Sequence, residues 1–425
     1  MIIKKSGKLS SEDSKTFKVE TFEIPVTASS LEISFDYSPR NVFSLENHLN
    51  LLIYDSLGRF MGRHDRGTKK FVISLNPSPC ALRALPLPGK WKAVLEAHSV
   101  LSNVNYVIEI KISGNETYEW RKGELHCHSN HSDGTMTVKE LSDYFKRKDV
   151  DFFFLTDHTN TSGWRELTEV TGSVGFPGEE LNTFSGHGLV LGSNKFIDWK
   201  DENFNPLPAE FIQKAVHESQ GVFGVAHPFI LGDPICTGCE WHYSESPFSF
   251  DFVEIWSRLI EEYSLINNRS IFQWINAVRK GTRVTGVAGS DLHNISDEKQ
   301  LVLRTYVKAR RLTLDEILYS IKRGAVYVDC GALKELKVNG KGIGDIVIYQ
   351  GGDLEVELSI DFPLKTQALL ITKRETIAVD NPTNAKIKIS EEIIEGKDFL
   401  IVWIKDIKEH TITVTNPIHI VREDA

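Results

Sequence analysis

The middle of the chain alternates between segments typical of buried strands and segments with helical spacing, and no other feature restricts the fold as strongly. VDFFFLTDH (150–158) is a nearly continuous apolar run ending in polar residues, as expected of a strand buried on both faces. GVFGVAHP, FVEIWS and RVTGVAGSDLH have the same form, and helical patterns at 137–149, 208–220, about 262–280 and 312–324 separate them. This order over about 200 residues predicts an α/β fold, either a barrel or a doubly wound sheet.

Short alternating segments on both sides of this region predict strands instead. They run from about Thr16 to Ser113 and again from about Leu333 to the end, separated by Pro, Gly, Asn and Ser clusters. A chain of 425 residues is expected to contain two or three domains. We therefore predict an N-terminal β-sandwich at 1–118, a catalytic α/β domain at 119–331 and a C-terminal β-sandwich at 332–425.

Composition restricts the classes of partner. The formal net charge of −9 disfavours a protein that grips a long nucleic-acid polymer, but it is compatible with a small anionic substrate held by bound metal. The sequence contains no apolar run of about 18 residues and no export signal, so we expect no membrane partner and a cytoplasmic location. Five scattered cysteines then predict free thiols in a reducing compartment. The sequence gives no indication of oligomeric state.

Histidines and carboxylates cluster at the ends of the apolar runs. Nine of the fourteen histidines lie between His126 and His293. His126 and His128 follow one predicted strand, Asp157 and His158 another, His227 a third, and Asp291 and His293 a fourth. In a barrel the carboxyl ends of the strands form the catalytic face. Packing does not explain polar groups at four strand ends, because burying them without partners is costly.

The spacing of these residues suggests individual roles. His126 and His128 are two residues apart, so in an extended strand both imidazoles face one side and Cys127 faces the other, as a small core residue. Asp133 is a helix cap or, beside the histidine pair, a metal ligand. Asp157 is expected to orient a neighbour rather than bind metal, and Glu254, inside an apolar strand, to have a polar partner in the site.

Six motifs taken together resemble one known family. In chain order they are HCHSNHSDG, LTDH, GEE, SGHGLVLG, AHP and GSDLH, and they resemble the PHP (polymerase and histidinol phosphatase) superfamily. The SDG segment, GHGLVLG, YVDCGAL and TNPIHIV also resemble the CehA/McbA-type metallohydrolase branch. The resemblance covers about 120–330 closely and the C-terminal region more loosely, and it does not extend to the N-terminal sandwich.

This resemblance implies a distorted (β/α)7 TIM-like barrel that holds two or three divalent metal ions. The implied metals are zinc, manganese or iron, since carboxylates mixed with imidazoles suit all three. The implied ligands are His126, His128, Glu180 and Asp291 for the first metal, Glu180, His187 and His227 for the second, and Asp133, His158 and His293 for the third. Glu180, Asp291 and His227 are also expected to take part in catalysis.

The implied function is that of a metal-dependent hydrolase. A phosphoesterase acting on a small phosphorylated substrate, through a metal-bridging hydroxide in a di- or trinuclear site, is favoured. An ester or carbamate hydrolase with the same site, or a non-catalytic metal-containing binding protein, are the alternatives. Nine ligand positions argue against the last, because structural metal sites usually close with four.

The sequence also contains residues whose roles it leaves open. Arg165, Arg258, Arg269 and Arg304 are candidates to grip a phosphate, and Arg258 and His242 are candidate general acids. His131 is either a substrate contact or a solvent-exposed loop residue, and His217 is expected at the surface. Cys236 and Cys239 form a lone C-x-x-C, which we interpret as part of a loop near the pocket rather than a zinc knuckle or redox site. The following segment, Trp241 to Tyr243, is a candidate lid.

Overall fold

The chain divides into two compact units. The structure, a computed structural model, describes residues 1–65, 70–257, 260–295, 302–394 and 396–423, without the side chains of 260–263. The first unit is Met1–Tyr118 and the second is Glu119–Ala425.

The first unit is built from antiparallel strands, as its alternating sequence predicts. The strands are β1 (Ile2–Leu9), β2 (Thr16–Ile24), β3 (Ser30–Ser38), β4 (Asn41–Val42), β5 (Leu45–Glu46), β6 (His48–Tyr54), β7 (Phe60–His64), β8 (Lys70–Ile73), β9 (Gly89–Ser99) and β10 (Val104–Ser113). Two four-stranded sheets, ordered β1-β10-β3-β8 and β2-β9-β6-β7, contribute to one hydrophobic core that includes Leu31, Ile33, Leu51 and Trp91.

The second unit is a mixed α/β structure dominated by strands. Its first part contains β11 (Glu119–Cys127), α1 (Val138–Arg147), β12 (Phe152–Leu155), β13 (Val174–Thr183), β14 (Gly186–Leu191), α2 (Ala209–Glu218), β15 (Val222–Val225), β16 (Phe252–Ser257), α3 (Ile260–Arg279), β17 (Thr285–Gly289), β18 (Arg304–Ala309), α4 (Leu314–Lys322) and β19 (Val326–Asp329). Its last part contains β20 (Leu333–Val338), β21 (Ile346–Tyr349), β22 (Leu354–Ile360), β23 (Thr366–Ile371), β24 (Thr376–Asp380), β25 (Asn384–Ile389), β26 (Lys397–Asp406), β27 (Thr411–Thr415) and β28 (Ile418–Arg422).

Strands β11 to β17 lie side by side in chain order. Pairing is parallel from β11 to β13 and again from β15 to β17. The two ends of this run also meet: Cys127, at the end of β11, forms a parallel bridge with Leu292, beyond β17, and the His128 amide donates to the Leu292 carbonyl at 2.9 Å. The polar residues that follow these strands are therefore gathered around one centre.

The α/β class and the main elements confirm the sequence prediction, but the regular alternation of strand and helix does not hold throughout. Strands β13 and β14 form an antiparallel hairpin, with Glu180 opposite Leu189 and Asn182 opposite His187. Strand β14 is antiparallel to β15 as well. Four α-helices occur in the described part of the chain, fewer than alternation after every strand would require. None of these described helices is long and apolar enough to cross a membrane.

The sheet continues from the central strands into the C-terminal region. Strand β11 pairs with β18, β18 with β19, and β19 with β27, after which the order is β26, β23 and β24. The side chain of Asn416 accepts from the amide of Gly286 and donates to its carbonyl, both at 2.8 Å. The sheet therefore contains strands from both sides of the predicted boundary at 331/332, and the division of this unit into two domains stays a prediction.

Candidate metal centre

The second unit brings all nine predicted ligands into one cluster at the strand ends. His126 and His128 lie at the end of β11, Glu180 in β13 and His187 in β14. His158, His227, Asp291 and His293 follow strands β12, β15 and β17, and Asp133 precedes α1. Their potential ligand atoms form overlapping groups, each within 4.8 Å. The role of each residue as a ligand stays a prediction.

The first group has the dimensions of a tetrahedral site. Nε2 of His126 lies 3.2 Å from Glu180 Oε2 and 3.4 Å from Asp291 Oδ1. Nε2 of His128 lies 3.4 Å from Glu180 Oε2 and 3.1 Å from Asp291 Oδ1. Ligands at about 2.0–2.1 Å from a tetrahedral cation are about 3.3–3.4 Å apart. The four donor atoms are thus spaced as the corners of such a site, in side chains that are almost fully buried.

Glu180 connects this group to a second one. Its other oxygen, Oε1, lies 3.1 Å from His187 Nδ1 and 3.3 Å from His227 Nε2. All three side chains are buried. A carboxylate with one oxygen directed at each group is suited to bridge two cations, because its negative charge reduces their mutual repulsion.

The third group is the most exposed part of the cluster. Oδ1 of Asp133 lies 3.4 Å from His158 Nε2 and 3.3 Å from His293 Nε2. The Asp133 side chain is 59% exposed, and those of the two histidines are 23% and 26% exposed. The rings of His158 and His293 both stack on His128, with centroids 4.2 Å away. A substrate entering from solvent would meet this group first.

The buried ring nitrogens and carboxylate oxygens of the cluster are better arranged to bind a cation than to hydrogen-bond to one another. Within the described residues, His126 Nε2 and Glu180 Oε2 make no hydrogen bond of normal geometry although they lie 3.2 Å apart. Buried polar atoms normally have hydrogen-bond partners, so such atoms in a native site suggest an ion. Imidazole nitrogens and carboxylate oxygens are the donors that zinc, iron and manganese accept. The residues present therefore fit a centre of divalent metal ions.

The electrostatics of the metal-free cluster show how strongly it favours positive charge at its centre. Burial acts to lower the pKa of His126, but the carboxylates of Glu180, Glu254 and Asp291 outweigh it and raise that pKa well above its usual value. Burial likewise acts to raise the pKa of Glu180, but His126 and the neighbouring imidazoles hold it well below its usual value. A carboxylate that stays ionised when buried is ready to bind a cation.

Glu254 fixes the orientation of two of the histidines. Its Oε1 lies 3.0 Å from His126 Nδ1, and its Oε2 accepts from the backbone amide of His227 at 3.0 Å. With Nδ1 hydrogen-bonded to this carboxylate, His126 presents Nε2 to the centre. The expectation that Glu254 has a polar partner in the site is confirmed. Gly289 leaves room for the pair, since a Cβ there would lie 2.0 Å from Glu254 Oε1.

Two further carboxylates hold the loops that carry the cluster. Asp157 accepts from the amide and hydroxyl of Ser129 and from the hydroxyl of Ser132, each at 2.7 Å, which confirms its predicted orienting role. Glu124 accepts from the amides of His126 and Ser290 and pairs with the buried Arg304. Glu124 was missed from the sequence, although its position two residues before His126, on the same face of the strand, was a signal.

Two cluster residues have strained backbone conformations. His227 has φ of 24° and Asp291 has φ of 50°. Residues other than glycine rarely adopt positive φ, and where they do, the surrounding structure bears a cost of order 1–3 kcal/mol. Here the strain turns the side chains that follow β15 and β17 towards the common centre.

Of the four candidate phosphate-binding arginines, one is clearly engaged elsewhere. Arg304 is buried in its pair with Glu124, and Arg258 lies outside the described residues. Arg165 and Arg269 are exposed, and the guanidinium of Arg269 lies 5.2 Å from the ring of Phe229, two residues beyond His227. Arg269 is therefore the described candidate that contacts a residue close in sequence to a predicted ligand.

Three histidines of this region, His131, His217 and His242, lie outside the cluster and have other partners. His131 contacts Ser162 and Glu166, both at 2.8 Å. His217 is 41% exposed and pairs with Asp251, which confirms a surface position. His242, a candidate general acid, is 64% exposed and lies 3.6 Å from Glu240.

The cysteines differ in part from the expectation of free thiols. Cys127 is fully buried among Val138, Leu141 and Phe153, which confirms its role as a core residue. Cys236 and Cys239, however, are joined by a disulfide. The loop that contains them reaches the cluster, since Cys239 Sγ lies within 4.8 Å of ligand atoms of His187 and His227. The interpretation of the C-x-x-C as part of a loop near the pocket is therefore confirmed, whereas the expectation of free thiols is wrong for Cys236 and Cys239.

Comparison with known proteins gives structural matches only. The sequence matches no protein-family model and no curated protein. A two-domain protein from Bacteroides vulgatus that contains a predicted PHP-like metal-dependent phosphoesterase matches with 15% identity and a TM-score of 0.43, over 72% of this chain and 98% of that one. The lesion-specific endonuclease PfuEndoQ from Pyrococcus furiosus matches with 18% identity and a TM-score of 0.36, over 48% and 56%.

An amidohydrolase from Chromobacterium violaceum matches with 15% identity and a TM-score of 0.29, over 41% of this chain and 89% of that one. The chain thus has as one structural neighbour a protein that contains a predicted PHP-like metal-dependent phosphoesterase, while the CehA/McbA-type branch stays a prediction. Similarities at this level do not by themselves establish a shared activity, so the functional argument depends on the cluster.

Proposed function

We propose that this protein is a metal-dependent hydrolase, and more narrowly a phosphoesterase that acts on a small phosphorylated substrate. The observation that carries the proposal is Glu180, a fully buried carboxylate whose two oxygens are directed at two separate groups of imidazoles. A structural metal site needs about four ligands and is closed by them. A shared carboxylate between adjacent groups is instead suited to a multinuclear catalytic centre.

We also propose that β11 to β17 form a distorted barrel of the PHP type. The support is the chain-order arrangement of seven strands together with the bridge between Cys127 and Leu292 that joins its two ends. In a barrel the active site lies where the carboxyl ends of the strands meet. The predicted ligands following β11, β12, β15 and β17 occupy this position.

The side chains have distinct tasks in this proposal. His126, His128, Glu180 and Asp291 would hold a first cation, His187 and His227 with Glu180 a second, and Asp133, His158 and His293 a third. When bound, divalent cations activate water for nucleophilic attack and stabilise the negative charge that develops. Glu254 holds His126 in the required tautomer. Because the third group is the most exposed of the three, we place the substrate phosphate there.

The choice of phosphate over a carboxylic ester is supported by charge. Arg269 is exposed and lies against Phe229, close in sequence to His227. We infer that this guanidinium lies at the edge of the site, where it can form paired hydrogen bonds with phosphate oxygens. A neutral ester or carbamate would gain little from such a group.

The proposal is tested by comparing two neighbouring carboxylates. The purified protein, loaded with zinc, manganese or iron, is assayed with p-nitrophenyl phosphate and, in parallel, with a p-nitrophenyl carboxylic ester. Glu180→Gln removes the shared charge and should lower phosphate release by at least about 100-fold. Glu179→Gln is the matched control, because Glu179 faces the other side of β13 and should be dispensable for turnover.

Each pattern of results has a definite meaning. Metal-dependent turnover of the phosphate that is lost only in Glu180→Gln supports the phosphoesterase. Turnover of the ester alone would replace it with the carbonyl hydrolase. Bound metal without turnover of either substrate would leave the binding-protein alternative.

A further inference from the structure

A cysteine sulfur lies beside the second group of predicted ligands. Cys239 is 1% exposed, and its Sγ, a nitrogen of His187 and a nitrogen of His227 all lie within 4.8 Å of one another. The proposed function gives these two histidines a partner in Glu180 but assigns no role to the sulfur. Three protein donors leave one corner of a tetrahedral site to be filled.

The loop that carries this cysteine is attached to the strands around the second group. The amide of Trp241 donates to the Pro228 carbonyl at 3.2 Å, and the amide of His242 donates to the Ser185 carbonyl at 2.7 Å. Gly238 has φ of +75°, and a Cβ there would lie 2.3 Å from the Thr183 carbonyl oxygen and 3.4 Å from His187 Nε2. The backbone therefore passes directly over the β13–β14 hairpin.

We propose that Cys239, when reduced, supplies a thiolate ligand to the second metal group, and that its disulfide with Cys236 competes with metal for the same sulfur. The proposal rests on the proposed function only in requiring a cation between His187 and His227. It adds a fourth donor to that group and makes its affinity depend on the redox state of the C-x-x-C.

The geometry allows this exchange with a small movement. A sulfur at about 2.3 Å and a nitrogen at about 2.0 Å from a tetrahedral zinc ion are about 3.5 Å apart. The present separation of up to 4.8 Å exceeds this by about 1 Å. Opening the disulfide frees rotation about the Cα–Cβ bond of Cys239, which can bring its sulfur closer without moving the anchored backbone. A soft thiolate donor would favour zinc over manganese in this group.

The chemistry balances with a thiol as the reductant. Two thiols, for example of glutathione, reduce the disulfide by two electrons, giving the thiols of Cys236 and Cys239 and one molecule of the oxidised reductant disulfide. Binding of a divalent cation then replaces the proton of the Cys239 thiol, which passes to solvent. In the reverse direction, a low-molecular-weight disulfide oxidises the pair and releases the sulfur from the metal.

The test uses cobalt as a probe, because a thiolate bound to Co²⁺ gives an intense near-ultraviolet charge-transfer band. The full-length metal-free protein is reduced with a phosphine or oxidised with glutathione disulfide, and each form is titrated with Co²⁺. The reduced protein should show the band and the oxidised protein should lack it. Cys239→Ser should abolish the band, whereas Cys236→Ser, the matched control, should show it in the reduced protein. Bound cobalt is counted by mass spectrometry.

The outcomes separate this proposal from the proposed function. A reduced protein that binds cobalt without the band, or a band that persists in Cys239→Ser, would overturn the assignment of Cys239. Hydrolysis measured on the same samples reports on the function independently. A charge-transfer band without hydrolysis would support Cys239 as a metal ligand and contradict the proposed hydrolase. Hydrolysis without the band would support the hydrolase and contradict Cys239 as a ligand. Failure to bind cobalt in any form would overturn both.

Discussion

The hydrogen bond between Glu254 and His126 illustrates how a single residue can set the chemistry of the centre. Imidazole can present either nitrogen to a metal, and the partner of the other nitrogen decides which. Glu254 contacts Nδ1 of His126 and simultaneously holds the backbone amide of His227. One carboxylate thus positions a residue of the first group and a residue of the second.

We predict that Glu254→Gln weakens metal binding by about 10–100-fold, a range typical of lost supporting contacts. His126 Nδ1–H and the His227 amide are both donors, and glutamine has only one acceptor oxygen where glutamate has two. The measurement is competition for zinc against a chelator of known affinity. Glu166→Gln, which removes a carboxylate that contacts His131 instead, serves as the control. Equal affinities for wild type and Glu254→Gln would show that this contact does not orient the ligands.

At the scale of single elements, Glu179 and Glu180 show how strand geometry assigns opposite roles to neighbours. Glu180 faces the metal-ligand cluster, while Glu179 is fully buried on the other side of β13, where its Oε2 accepts from the Ile197 amide at 3.2 Å. Burial is the main cause that raises the pKa of Glu179 to about 8. The carboxyl group is therefore protonated in the folded protein at neutral pH.

We predict that Glu179→Gln makes the second unit more stable than the unsubstituted protein, and that this gain is larger above pH 8 than at pH 5. In the unfolded chain Glu179 ionises near 4.5, whereas in the folded protein it does so near 8. Between these values the folded state binds more protons, so its stability falls as pH rises, by a total on the order of 5 kcal/mol. A neutral glutamine removes this loss. Thermal unfolding of both proteins at pH 5 and pH 8.5 measures it, with the exposed Glu202→Gln as control. A stability difference that does not grow with pH would contradict a buried, neutral Glu179.

Elements with a strong periodic pattern were predictable from sequence, and those set by long-range pairing were not. Thr137 caps α1 and Glu140 completes the capping box, as polar residues ahead of an apolar helical pattern suggest. The order of metal-competent residues at strand ends likewise identified the cluster. The β13–β14 hairpin was missed because Glu179, Glu180 and His187 interrupt the apolar run by which the other buried strands were identified. Cys239 was missed because its proximity to His187 depends on where a long loop crosses the hairpin.

At the scale of the whole molecule, the candidate centre belongs entirely to the second unit, and that unit depends on its C-terminal strands. Ile271 and Trp274 of α3 share a hydrophobic core with Ile401 and Trp403 of β26. Strand β19 pairs with β27, placing Tyr327 opposite Thr415. The central strands therefore have both their sheet partners and part of their core supplied by residues beyond 331.

These contacts predict how fragments of the chain behave. A fragment of residues 119–425 should fold, bind metal and retain the activity, because it keeps every contact described for the cluster. A fragment of residues 119–331 should not, because it loses the partner of β19, the shared core and the two hydrogen bonds from Asn416 to Gly286. Each buried polar group left without its partner costs about 1–3 kcal/mol, against a total stability of about 5–15 kcal/mol. Circular dichroism, cooperative thermal unfolding and metal content compare the two fragments with the intact chain. A folded, metal-binding 119–331 fragment would instead establish residues 332–425 as a separate domain.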